Sequence, residues 1–106
     1  MKVWLDDLRS KPGNDWVKVT TFDACIDLIL HNKIDVLSLD HDLGSADPLQ
    51  TGYDVLCAIE CLMRNDDVDF WVPTDIRVHS DNPVGKQKML QAIDSINFYR
   101  NSVGPY

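Results

Sequence analysis

Glutamate is nearly missing: Glu60 stands alone against 16 aspartates, in a chain of 106 residues with only ten lysines and arginines. Aspartate is a poor residue for a helix interior and a good one for caps, turns and hard cations. That skew places the acid in loops and at the ends of elements. The net charge of −7 excludes broad electrostatic binding to a nucleic-acid duplex, which needs clustered basic residues. A small nucleotide, or a strand end held in one local pocket, stays open. No apolar run approaches the roughly 20 residues that span a bilayer, so no membrane helix is expected. Met1-Lys2-Val3-Trp4-Leu5-Asp6-Asp7 meets acid too early for a signal peptide, and a cytoplasmic chain is predicted.

Cysteine is scarce as well. Cys25, Cys57 and Cys61 make an odd number without secretory context, which argues against a disulfide framework. Cys57 and Cys61 lie four apart on an expected helix, but no second Cys or His pair with zinc-like spacing follows. They read as reduced surface thiols. The length gives one domain over residues 1–106, with a core that folds without staples.

What is present is an alternation of strands and helices. Lys2 to Leu5 is a short β run stopped by Asp6-Asp7, and residues 8–15 are turn formers too short for a crossover helix. Trp16 to Thr20 alternates as a second strand, and Thr20 or Thr21 caps a helix carrying Phe22, Cys25, Ile26 and Ile29 at helical spacing. His31 sits near its end as a dipole partner, and Asn32-Lys33 closes it. Ile34 to Leu39 is the third and most buried strand, followed by a loop from His41 to Gln50. A helix from about Thr51 to Arg64 and a strand from Asp75 to His79 come next. Asn82 then caps the last helix, with Pro83 in its first turn and a frayed tail from Asn101. The order β-β-α-β-α-β-α predicts a small open parallel sheet of about four strands flanked by helices. In such sheets ligands bind beyond the carboxyl ends of the strands.

Those ends collect the unusual residues. Asp6 and Asp7 follow the first strand, Asp40-His41-Asp42 the third, and His79-Ser80 the fourth. Four aspartates on one rim repel each other, so either their pKa values rise or a hard divalent cation such as Mg²⁺ or Mn²⁺ joins them. The second reading makes Asp7 and Asp40 direct ligands, with Asp6 or Asp42 acting through water. His41 and His79 have the ordinary pKa for exchanging protons with a phosphate ester, while His79 also suits a satisfied, half-buried position in its strand. Arg9 is a candidate phosphate clamp. Ser80, Asn82 and Lys86 border a helix N-terminus, whose free N–H groups attract anions. Thr51-Gly52-Tyr53 offers a hydroxyl, a backbone of close approach and a ring, or simply starts a helix. Trp4, Trp16 and Trp71 read as anchors rather than stacking platforms.

An acidic pair after strand one, an aspartate after strand three and a serine after strand four resemble response-regulator receiver domains. A closer resemblance is to the cyclic-phosphate-processing receiver-like family. It rests on Trp4-Leu5-Asp6-Asp7-Leu8-Arg9, on Ser38 to Gly44, on Thr51 to Val55, and on Val78-His79-Ser80-Asp81-Asn82-Pro83-Val84-Gly85. The resemblance implies a truncated receiver-like (flavodoxin-like) three-layer sandwich. It also implies action on cyclic phosphate ends of RNA or on cyclic nucleotides. Together with the rim, it predicts a metal-dependent phosphoesterase that uses His41 and His79 for proton transfer. The alternative is a non-enzymatic receiver-like module that binds Mg²⁺ and a phosphorylated ligand or protein partner. Phosphorylation of Asp40 as a switch is weakened by the missing fifth strand and its lysine.

Overall fold

Two residues of Val3-Leu5 spacing set the inner face of the first strand. In the computed structural model, which describes residues 1–40, 51–65, 67–80 and 82–103, β1 (Lys2–Leu5) buries Val3 and Leu5 and leaves Lys2 and Trp4 on its other side. β2 (Trp16–Val19), β3 (Val36–Leu39) and β4 (Asp75–Val78) complete a sheet of order β2-β1-β3-β4 in which every pairing is parallel. The helices are α1 (Phe22–His31), α2 (Gly52–Met63) and α3 (Pro83–Val103). The expected parallel α/β sheet flanked by helices is thus in place. Among the described residues, no helix is long and apolar enough to cross a membrane.

Local chemistry sets the boundaries. Thr21 rather than Thr20 caps α1, its hydroxyl accepting from Ala24 N at 3.2 Å. The third strand is shorter than the run of apolar residues suggests. Its ladder begins at Val36, while buried Ile34 uses its carbonyl to accept from Thr74 N and from the Trp71 indole. The last helix is longer than expected and continues to Val103, through the Asn101 position expected to fray.

The layers are unequal. The steps β2→β3 and β3→β4 both advance across the sheet in one direction, so right-handed crossovers put α1 and α2 on the same face. One core joins Val3, Leu5, Leu37 and Leu39 of the sheet to Ile29 of α1, to Val55, Leu56 and Ile59 of α2, and to Met89, Ile93 and Ile96 of α3. Each fully buried aliphatic side chain there contributes about 1.5–3 kcal/mol. The step β1→β2 runs the opposite way, and its crossover belongs on the other face. It is a loop, so the third layer of the sandwich is thin in the described residues. Trp4 reaches this loop through Nε1, which donates to Arg9 O at 3.4 Å, and Lys2 pairs with Asp15 at 2.9 Å.

The register aligns the strand ends. Leu5 pairs with Leu39 and Leu39 with Val78, so Asp6, Asp40 and His79 leave the sheet side by side. The ladder carries one step further, with Asp40 N donating to Leu5 O and His79 N to Leu39 O, both at 3.0 Å.

Candidate functional site

Asp6 is the deepest polar group of the rim and is fully buried. Its Oδ1 accepts from Leu8 N at 2.8 Å and Arg9 N at 2.9 Å, which turns the chain sharply off β1. Its Oδ2 accepts from His79 Nε2 at 3.1 Å. Burial alone would raise the Asp6 carboxyl, but the N–H groups of Arg9 and Leu8, with His79, outweigh it and hold the group below its ordinary value.

An ionised carboxylate only accepts, so the proton of the imidazole belongs on Nε2. The other nitrogen, Nδ1, then accepts from the Ser38 hydroxyl at 2.7 Å. Burial depresses the His79 pKa despite the counteracting Asp6 carboxylate, which favours the neutral ring. Trp4 lies flat on it, ring centres 3.6 Å apart and planes 4° from parallel. The Arg9 guanidinium donates to the carbonyl of the same residue at 3.0 Å. His79 is therefore locked from every side.

Asp7 and Asp40 stand beside this assembly. One carboxylate oxygen from each of Asp6, Asp7 and Asp40 lies within 4.8 Å of the others. Oδ1 of Asp7 is shielded from water and has no hydrogen-bond partner among the described residues. A buried carboxylate oxygen left so is costly, and a cation among three carboxylates removes that cost. An all-oxygen donor set suits Mg²⁺ or Mn²⁺ better than a soft metal.

Helix starts surround the carboxylates. A Cβ on Gly52 would collide with the Asp40 carbonyl oxygen and approach Met89 Cε to 2.8 Å, so only glycine lets α2 begin directly against the end of β3. The Thr51 hydroxyl donates to Asp54 Oδ2 at 3.2 Å, which also accepts from Thr51 N at 2.7 Å; its proton serves the helix start. Asn82 caps α3, its Oδ1 accepting from Gly85 N at 3.0 Å. Ser80 is buried, and its hydroxyl oxygen accepts from Asn82 N at 3.1 Å. Lys86 is exposed in the first turn of α3.

The structure brings together Asp6, Asp7, Asp40 and His79, with Arg9 docked against them. It sets Ser80, Asn82 and Lys86 at the start of α3 and Thr51 at the start of α2. His41 and Asp42 lie outside the described residues. Two participants were not anticipated. The sequence marks Ser38 as a strand residue that opens the family motif and names no partner for it, although one serine inside the apolar run Val36-Leu37-Ser38-Leu39 is itself a sign of a polar partner. The sequence suggests an anchor at Trp4, and nothing in its local pattern indicates the ring it covers.

A family model described as a cyclic-phosphate processing receiver domain matches residues 1–95. Comparison with curated proteins and with solved structures finds no match. The match takes in β1 through most of α3, with every carboxylate and the imidazole of the rim. The chain belongs to the cyclic-phosphate processing receiver domain family.

Proposed function

We propose that this domain is a metal-dependent phosphoesterase that opens cyclic phosphates, either 2′,3′-cyclic ends of RNA or cyclic nucleotides, in the cytoplasm. One observation carries the reading: three carboxylates from the ends of two adjacent strands converge within 4.8 Å, and one of their oxygens is buried without a partner among the described residues. Asp6, Asp7 and Asp40 would hold Mg²⁺ or Mn²⁺, with Asp42 assigned to the same centre. A hard cation there supplies charge neutralisation for a phosphoryl oxygen or acidifies a water. The start of α3, with Ser80, Asn82 and Lys86, and the Arg9 guanidinium hold the phosphate oxygens. Thr51 borders the same ligand from the start of α2. Opening the ring adds water across one P–O bond, and the departing sugar oxygen takes up a proton. With both ring nitrogens of His79 engaged, that proton transfer falls chiefly to His41, and His79 keeps the site in shape.

The same engagement of His79 favours a second reading, a module that binds the cation and a phosphorylated ligand without turning it over. Incubating the protein with cyclic-phosphate-ended RNA and cyclic mononucleotides, with and without Mg²⁺ or Mn²⁺, separates the two. Metal-dependent formation of a phosphomonoester that is lost in Asp7→Asn and His41→Ala supports the esterase. Metal-dependent binding without turnover supports the module, and neither binding nor turnover overturns both.

A further inference from the structure

The lone pairs of Asp6 are unevenly used. An ionised carboxylate oxygen accepts along about two directions. Oδ1 receives two backbone N–H groups, from Leu8 and Arg9, and is filled. Among the described residues Oδ2 receives only His79 Nε2, which leaves one direction open. Any cation that Asp6 helps to hold must therefore meet Oδ2, the oxygen fixed by the imidazole. What fixes the imidazole then matters to the centre. Trp4 sets the plane of the ring, and Ser38 occupies Nδ1.

Ser38 faces the same side of the sheet as Trp4, its cross-strand neighbour on β1. Serine, histidine and aspartate in this order resemble a nucleophilic triad, but with the two ring nitrogens exchanged: Ser38 meets Nδ1 and Asp6 meets Nε2. Ser38, moreover, is only 3% exposed, and its hydroxyl is engaged by the imidazole. Its use is to occupy the far nitrogen. Without it, a buried imidazole nitrogen loses its donor, the second tautomer becomes competitive, and the N–H aimed at Oδ2 is no longer enforced.

We propose that Ser38 is a positioning residue of the carboxylate centre, acting through His79 on Oδ2 of Asp6. The inference rests on the metal-binding reading above. Mn²⁺ titrated into the full chain, with free Mn²⁺ followed by electron paramagnetic resonance, tests it. Ser38→Ala is expected to weaken Mn²⁺ affinity about 10-fold, the low end for hydrogen bonds behind a metal ligand, whereas Ser38→Thr, which keeps the hydroxyl, recovers most of it. Nitrogen-15 spectra of His79 should show Nε2 protonated in the wild type and a tautomer mixture in Ser38→Ala. A packing defect alone would lower the melting temperature and leave the ring nitrogens unmoved. If Ser38→Ala does not fold, Ser38→Cys keeps the volume with a weak donor and should show the same loss. Wild-type affinity in the folded variant overturns the inference alone; a wild type that takes up no Mn²⁺ overturns the metal reading, and this inference with it.

Discussion

Asp7 and Asp6 are neighbours in the chain with opposite situations. Asp6 is buried and receives three hydrogen bonds, so its charge is well solvated by the protein itself. Asp7 has one oxygen that is buried with no partner among the described residues, and its carboxylate stands near two others. Substituting them should have opposite effects on the metal-free protein. Asp7→Asn removes a repulsion worth about 1 kcal/mol at this spacing even in bulk water, so the metal-free variant should melt higher while losing Mn²⁺-induced stabilisation. Asp6→Asn puts an amide where three donors converge, or leaves one of them unmet, and should cost roughly 2–4 kcal/mol in denaturant unfolding. If both variants were destabilised alike, the distinction drawn between the two carboxylates would be wrong.

The junctions between strands and helices position these residues. Gly52 is the tightest junction, because α2 begins against the backbone of Asp40. Gly52→Ala must push the start of α2 or the end of β3 aside, since the atom in the way is a carbonyl oxygen that no rotamer can move. The expected cost is about 1–3 kcal/mol, accompanied by weakened Mn²⁺ binding through displaced Asp40, measurable by denaturant unfolding and metal titration together. An unshifted metal affinity would uncouple the junction from the site. Such junctions also decide how far the sequence could be read. Alternating apolar residues mark the strands, apolar residues at helical spacing with Thr20 or Thr21 and Asn82 as caps mark the helices, and the parallel order brings Asp6, Asp40 and His79 to one edge. The ladder start at Val36 escaped because Ile34 is as apolar as a strand residue but spends its carbonyl on Trp71 and Thr74, far along the chain. Ser38 and Trp4 escaped for a related reason. Their meaning lies in contacts across strands separated by tens of residues, for which a linear pattern has no period.

At the scale of the whole molecule, buried ionisable groups set the pH range of stability. His79 has a depressed folded pKa, so the unfolded chain binds a proton below its ordinary 6.5 before the native state does. Stability should fall as the pH drops below 6.5, down to the folded value. Asp6, also lowered, contributes stability that is present above its unfolded value near 3.8 and lost on further acidification. Cys25 closes the other side: burial pushes its thiol from 9.0 up to about 12, so the unfolded chain ionises first and stability declines between them. Denaturant unfolding across pH should give a plateau between about 6.5 and 9. Replacing His79 by Gln should flatten the first acid step and Cys25→Ala the alkaline limb, each by at most about 1.4 kcal/mol per pH unit. A profile that peaks near pH 5 would contradict the burial of the imidazole.

The stacking of Trp4 on His79 gives the domain an optical gauge of its own. The three indoles occupy distinct settings: Trp4 against the imidazole, Trp16 edge-on to Trp4 at 5.8 Å, and Trp71 under the Lys33 ammonium at 4.2 Å. A neighbouring imidazole that gains a charge dims an excited indole, so emission from Trp4 should follow whatever happens to that ring. Events at the acidic edge can thus be watched in the unlabelled chain, by the light of a side chain stacked on the imidazole.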